Sequence, residues 1–191
     1  MRGIASWTLV VGLCLLSCSS CSRTLNTTES QVIGTFISYY VKNGPAVYRR
    51  GLVTVVVLGR TSFPTDFSHP ITHCTEAGPI SPDEVSALRR VNRGPRRIAP
   101  DLPAAVKFSL LSPATLKEME KGDHYWDVFG RHFPGADRFL VISRPAFDRS
   151  GMRAVLYYEL RCSLCGSGGF VVLTRGRDGW TYKDSCILWV S

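Results

Sequence analysis

Leu156-Tyr157-Tyr158-Glu159-Leu160-Arg161-Cys162-Ser163-Leu164-Cys165-Gly166-Ser167-Gly168-Gly169-Phe170-Val171-Val172-Leu173 decides the fold class of this chain. Two apolar runs rich in β-branched and aromatic residues flank a segment of Gly, Ser and Cys, which is the pattern of a β-hairpin. A Cys-x-x-Cys pair sits at its tip, and Gly166-Ser167-Gly168-Gly169 reads as loop chemistry rather than as a phosphate cradle. Within residues 153–161, Ala154, Leu156, Tyr158 and Leu160 alternate with Arg153, Glu159 and Arg161, as in a strand with one face inward.

Working outward, residues 138–147 predict the preceding strand, and Asp148-Arg149-Ser150-Gly151 its turn. Residues 170–175 follow the cysteines. Gly176-Arg177-Asp178-Gly179 then turns the chain into a last strand over 180–190. This meander follows several helical signals. In residues 28–43, Val32, Ile33, Phe36, Ile37, Tyr40 and Val41 share one helix face, with Thr28 as the expected cap. Ser81-Pro82-Asp83-Glu84 and Ser112-Pro113-Ala114-Thr115 are helix starts, with serine at the cap and proline in the first turn. Residues 123–132, which carry Trp126 and Phe129, predict a further short helix. Residues 52–58 and 105–111 predict strands. The expected fold is α+β: an antiparallel sheet of about four to six strands, packed with an N-terminal helix and short helices.

The chain has 191 residues, 45% hydrophobic and 20% charged, enough for one domain and its core. Arg2 followed by the apolar residues 4–16 resembles an export signal too short to span a bilayer. Leu15-Leu16-Ser17-Cys18 resembles a bacterial lipobox, which implies lipidation of Cys18. The expected organisation is a signal peptide over 1–17, a tether over 18–27 and one domain over 28–191. The expected place is the bacterial cell envelope, lipid-anchored on its periplasmic or outer face, with a secreted soluble product as the alternative.

The closing third carries Trp126 with Phe129, Phe133-Pro134-Gly135, Ile142-Ser143-Arg144-Pro145-Ala146-Phe147, Ala154-Val155-Leu156-Tyr157-Tyr158, Leu164-Cys165-Gly166-Ser167-Gly168 and Gly179-Trp180. In these elements it resembles a family of bacterial exported proteins of uncharacterised function. The resemblance implies an envelope protein and supplies no catalytic residues. In that family a second cysteine precedes the Leu-Cys-Gly-x-Gly motif at slightly wider spacing, so Cys162-Ser163-Leu164-Cys165 departs from it.

Three groups of residues carry candidate chemistry. Of seven cysteines, Cys74, Cys162, Cys165 and Cys186 belong to the body, where export favours disulfides in any of three pairings. A redox dithiol needs a device that lowers a thiol pKa, such as a helix N-terminus, and none is predicted beside Cys162 and Cys165. His69, His73 and Cys74 lie around Pro70 in loop-like sequence, which disfavours a zinc site, so no metal and no cofactor are expected. Arg89, Arg90, Arg93, Arg96 and Arg97 form a basic cluster in a chain of net charge +8. It is either a solvated surface or an anion-binding patch for an envelope component, and nucleic acid is not expected as a partner. No Gly-x-Ser-x-Gly, Walker or His-Glu-x-x-His motif occurs. The expected role is therefore binding or structural rather than enzymatic. The alternatives are a thiol–disulfide protein using Cys162 and Cys165, and an anion-binding surface protein.

Overall fold

The structure is a computed structural model and describes residues 23–44, 55–64 and 80–191. Cys18, His69, His73 and Cys74 lie outside the described residues, as does the first part of the strand expected over 52–58. The elements run α1 (Thr27–Asn43), β1 (Val56–Leu58), α2 (Pro82–Val91), β2 (Ser109–Leu111), α3 (Pro113–Met119), α4 (Tyr125–His132), β3 (Arg138–Ile142), β4 (Ala146–Phe147), β5 (Arg153–Cys162), β6 (Gly166–Gly176) and β7 (Gly179–Val190). The fold is α+β. Six strands lie in the order β2-β1-β3-β5-β6-β7, and β4 pairs with β5 beyond the end of β3.

The C-terminal meander is antiparallel throughout, from β3 against β5 to β6 against β7. The sheet as a whole is mixed, because β1 pairs parallel with both β2 and β3. That arrangement follows from the helices between these strands, which return the chain to the same edge of the sheet. It also explains the burial of β5. Ala154, Leu156 and Tyr158 meet α1 on one face, and Val155 and Tyr157 meet α2 on the other. A strand covered on both faces reads as a continuous apolar run. A separate cluster of Val56, Leu58, Leu111, Leu116, Met119, Val128, Phe129, Phe139 and Val141 seats α3 and α4 on the α2 side.

Local chemistry moved several boundaries. The cap of α1 is Asn26, not Thr28. Its side chain accepts the Glu29 N–H at 2.9 Å, and the Glu29 carboxylate accepts the Asn26 N–H at 2.9 Å, a complete capping box. Just before it, Leu25 N–H donates to the Arg97 carbonyl at 3.3 Å and Arg97 N–H to the Arg23 carbonyl at 3.1 Å, so the described end of the expected tether is docked.

The strand expected over 138–147 breaks at Ser143-Arg144-Pro145. Between the pairs Ile142↔Tyr158 and Ala146↔Val155 this side carries one extra residue, a bulge. Pro145 has no N–H to continue a ladder. The fully buried Ser143 takes over, its Oγ accepting the Tyr157 N–H at 2.8 Å.

The bulge positions Arg144. Its guanidinium donates to Glu29 Oε1 from Nε at 2.8 Å and lies 2.7 Å away through its terminal nitrogen, and it also donates to the Val91 carbonyl. Asn92 closes the same junction, accepting the Arg144 N–H at 2.8 Å and donating to the Arg144 carbonyl at 3.0 Å. The start of α1, the end of α2 and the sheet thus meet at one arginine. The start of α2 repeats the device. Glu84 Oε2 accepts the Ser81 N–H at 2.8 Å, and Glu84 Oε1 accepts from Arg153 of β5 at 2.7 Å.

Candidate functional site

The β5–β6 hairpin forms as expected, but its loop is only Ser163, Leu164 and Cys165. Gly166, Gly168 and Gly169 are strand residues of β6, not loop residues. The reason lies on β7. A Cβ on Gly168 would stand 2.3 Å from Trp189 Nε1, and one on Gly166 would stand 3.0 Å from Trp189 Cζ3. The indole therefore lies along β6 over two residues that present no side chain. A Cβ on Gly169 would stand 2.0 Å from the Cys186 carbonyl oxygen, so the glycines also let the two backbones close up beside a bulge.

Trp189 is fixed in plane as well as in height. Its Nε1–H donates to Tyr157 Oη at 3.1 Å, and Tyr157 Oη–H donates to Glu159 Oε1 at 3.1 Å. Arg161 donates to Glu159 Oε2 from Nε at 2.8 Å, with a second guanidinium nitrogen at 2.7 Å. Burial pushes the Tyr157 phenol up to about 12, and Glu159 adds to the rise while the Trp189 hydrogen bond opposes it. The phenol is protonated at ordinary pH, as the direction of this chain of hydrogen bonds requires, and burial extends that state into alkaline solution. One face of the indole rests on the glycines, and 36% of the residue remains exposed.

This platform borders a cleft of about 390 Å³ at the hairpin end of the sheet. Tyr125 and Trp126, in the first turn of α4, stand across from it with ring centroids 5.3 Å apart at 67°. Arg161, Glu120 and the two cysteines complete the wall. Burial raises the Tyr125 phenol, and the nearby Arg161 charge draws it partly back. The volume falls within the roughly 300–1,000 Å³ typical of small-ligand sites.

Cys162 and Cys165 are joined by a disulfide, with Cα atoms 5.2 Å apart. The bond bridges the ends of two strands, and no helix begins at either cysteine. Cys186 is also disulfide-bonded. It sits opposite Phe170, well along β7 from the tip, in the core cluster under α2. Among the described residues no group of three His, Cys, Asp or Glu side chains could hold a metal ion.

Arg89, Arg90 and Arg93 line a cavity of about 550 Å³ with Phe63, Ser86 and Asn92. The backbones of the other two arginines of the cluster are held nearby in the chain: Arg96 N–H donates to Thr61 Oγ1 at 2.8 Å, and the Arg97 backbone bridges both Thr24 and Arg60. A larger cavity of about 1,090 Å³ lies between the C-terminal half of α1 and the start of β7. Its walls include Lys42, Trp180 and the stacked Tyr39–Tyr182 pair, with centroids 3.5 Å apart at 6°. The Trp180 indole N–H is the one buried side-chain polar atom without a partner among the described residues.

The aromatic residues sort by position. Trp180, Tyr157 and Tyr158 are buried in the core, whereas Trp189 is 36% exposed. The sequence signal was available in the glycines at 166, 168 and 169 facing a tryptophan one strand away, but it needs the β6–β7 register to be legible.

Comparison with protein-family models, with curated proteins and with solved structures gave no match. No helix among the described residues is long and apolar enough to cross a membrane.

Proposed function

We propose that this chain is a lipid-tethered protein of the bacterial cell envelope, and that its body binds an envelope component through the hairpin-tip cleft without transforming it. The tether rests on the apolar N-terminal segment and Leu15-Leu16-Ser17-Cys18. The observation that carries the binding role is the Trp189 platform. A tryptophan held flat on glycines, locked by a buried tyrosine and left open on its outer face is organised for contact, not for core packing. The Cys162–Cys165 bond then braces the cleft wall.

Two measurements test the two halves. Intact-mass analysis of the exported product should find acyl mass on Cys18, and Cys18→Ala should leave the membrane fraction. Absence of acyl mass ends the tether. Retention of the protein on washed envelope fragments should fall in the Trp126→Ala/Trp189→Ala variant. Retention unchanged from wild type ends the role of the cleft.

A second reading has its own observation, since Arg89, Arg90 and Arg93 share one cavity with Phe63 and Ser86. If that cavity captures an anion, replacing the three arginines with serine should abolish salt-sensitive retention on heparin. Elution with wild type leaves the arginines as a solvated surface that complements the negative end of α2. The thiol–disulfide reading requires catalysis of insulin reduction that disappears in Cys162→Ser.

A further inference from the structure

We propose that the hairpin-tip cleft takes a neutral saccharide, with one sugar ring laid on the outer face of Trp189. This deepens the cleft reading above and depends on it.

The argument runs by what the walls accept. Trp189 offers a flat aromatic face backed by glycine, and Tyr125 and Trp126 offer further ring surface across the cleft. A ligand that fits must present an apolar face of ring size. Nucleobases, sugars and cationic groups all do so.

Charge then separates these classes. Arg161 is the cation on the cleft wall, and both guanidinium nitrogens facing Glu159 lie within 2.8 Å of its carboxylate. Glu120 adds a negative charge. The charged residues that line the cleft are thus one of each sign, Arg161 and Glu120, and leave no net charge to draw either a phosphate or a cationic ligand. What remains is a neutral ring with an apolar face and hydroxyl groups at its edge. Arg161, a planar donor held in place by Glu159, and the Glu120 carboxylate, an acceptor on the same wall, suit that edge. Saccharide hydroxyls, which both donate and accept, match such a pair.

The test is titration of the full chain with neutral oligosaccharides, chitotetraose and cellotetraose, followed by tryptophan fluorescence and by the Trp189 indole N–H resonance in a ¹⁵N-labelled sample. The expected result is saturable binding of at least one of them that moves the Trp189 resonance. Raising the salt to about 1 M should change the affinity by less than roughly twofold, since no ion pair forms. Trp189→Ala should weaken binding by roughly tenfold or more, and Trp189→Phe should retain most of it. Circular dichroism confirms that the variants fold, and the wild-type resonance shift stands independently of them.

Failure of both sugars to bind overturns the proposal, as does binding that leaves the Trp189 resonance in place or persists in Trp189→Ala. If both sugars fail while envelope fragments still lose the Trp126→Ala/Trp189→Ala variant, the cleft remains a recognition surface and only the saccharide falls.

Discussion

The two ends of the sheet use charged and polar side chains in opposite ways. At the bulge end, Arg144 and Arg153 reach the carboxylates that cap α1 and α2, and those groups serve the docking of helices. At the hairpin end the chain Trp189–Tyr157–Glu159–Arg161 stays within β5 and β7, and what it positions is an aromatic ring facing outward. The contrast separates stability from recognition. Changes at the bulge end should unfold the protein, and changes at the tip should alter binding at small cost to the fold.

The largest effect should come from Glu29→Ala. Glu29 is 3% exposed, and its loss removes a helix cap and strands the Arg144 guanidinium in a site with little access to water. Breaking a buried pair from one side costs about 3–5 kcal/mol. Urea denaturation checks it, and a loss below about 1 kcal/mol would erase the distinction between the two ends. The double variant with Arg144→Met should recover part of the loss.

Next in size is Gly169→Ala, which drives a Cβ against the Cys186 carbonyl, a backbone atom that cannot turn aside. Overpacking of this kind costs about 1–3 kcal/mol. Gly168→Ala meets only the Trp189 indole, which can lift. It should be the milder change to stability and the more severe one to tryptophan fluorescence. Equal effects of the two glycine changes on stability would mean that the platform is part of the core.

Removing the tip disulfide with Cys162→Ser/Cys165→Ser should cost about 2 kcal/mol or less, because a bridge across a sequence separation of three constrains the unfolded chain little. Thermal melting measures it. Non-reducing peptide mapping should find Cys186 cross-linked and untouched by alkylation in the same variant. A larger loss on removing the tip bond would place it among the main supports of the fold.

The smallest effect is alkaline. Tyr157 and Tyr182 are both held at about 12, chiefly by burial, against an ordinary value of 10.0. The folded state binds these protons more tightly than the unfolded state. The stability they contribute is whole below pH 10 and falls as pH rises from 10 toward 12. Phenolate absorbance should show late-titrating tyrosines, and Tyr157→Phe should remove one of them and loosen Trp189. A titration in which every tyrosine ionises near 10 would show that burial does not hold the Tyr157 proton beyond its ordinary range.

Most of the element pattern was legible in the residues, because helix caps and strand alternation are local. Ser81-Pro82 and Ser112-Pro113 open α2 and α3 at those very residues, and the meander strands follow their apolar runs. The parallel pairing of β1 was not legible, since a three-residue strand records its burial but not its neighbours. Ser143-Arg144-Pro145 looked like uninterrupted strand because Arg144's partner, Glu29, is 115 positions away. At the candidate site the cysteines, glycines and Trp189 were each visible, yet their meaning depended on register. Read alone, the glycines suggest a loop. Only against Trp189 do they become the floor of a platform. Of the arginine cluster, Arg89, Arg90 and Arg93 share one cavity, while the backbones of Arg96 and Arg97 pair with Thr61, Thr24 and Arg60, partners that nearness in sequence does not show.

The two capping glutamates have a consequence for how this chain folds. Each carboxylate has two oxygens, one engaged by its own helix start and the other by an arginine from the sheet. Closing the local turn orients the oxygen that the sheet arginine will meet, and the docked arginine in turn holds the carboxylate in the rotamer that closes the turn. Helix initiation and long-range assembly are therefore not independent equilibria at Glu29 and Glu84, and each makes the other more favourable. A helix start that frays must also release its arginine. Hydrogen exchange at the first turns of α1 and α2, ordinarily the least protected amides of a helix, should accordingly track the opening of the Arg144 bulge and of β5 respectively rather than local fraying.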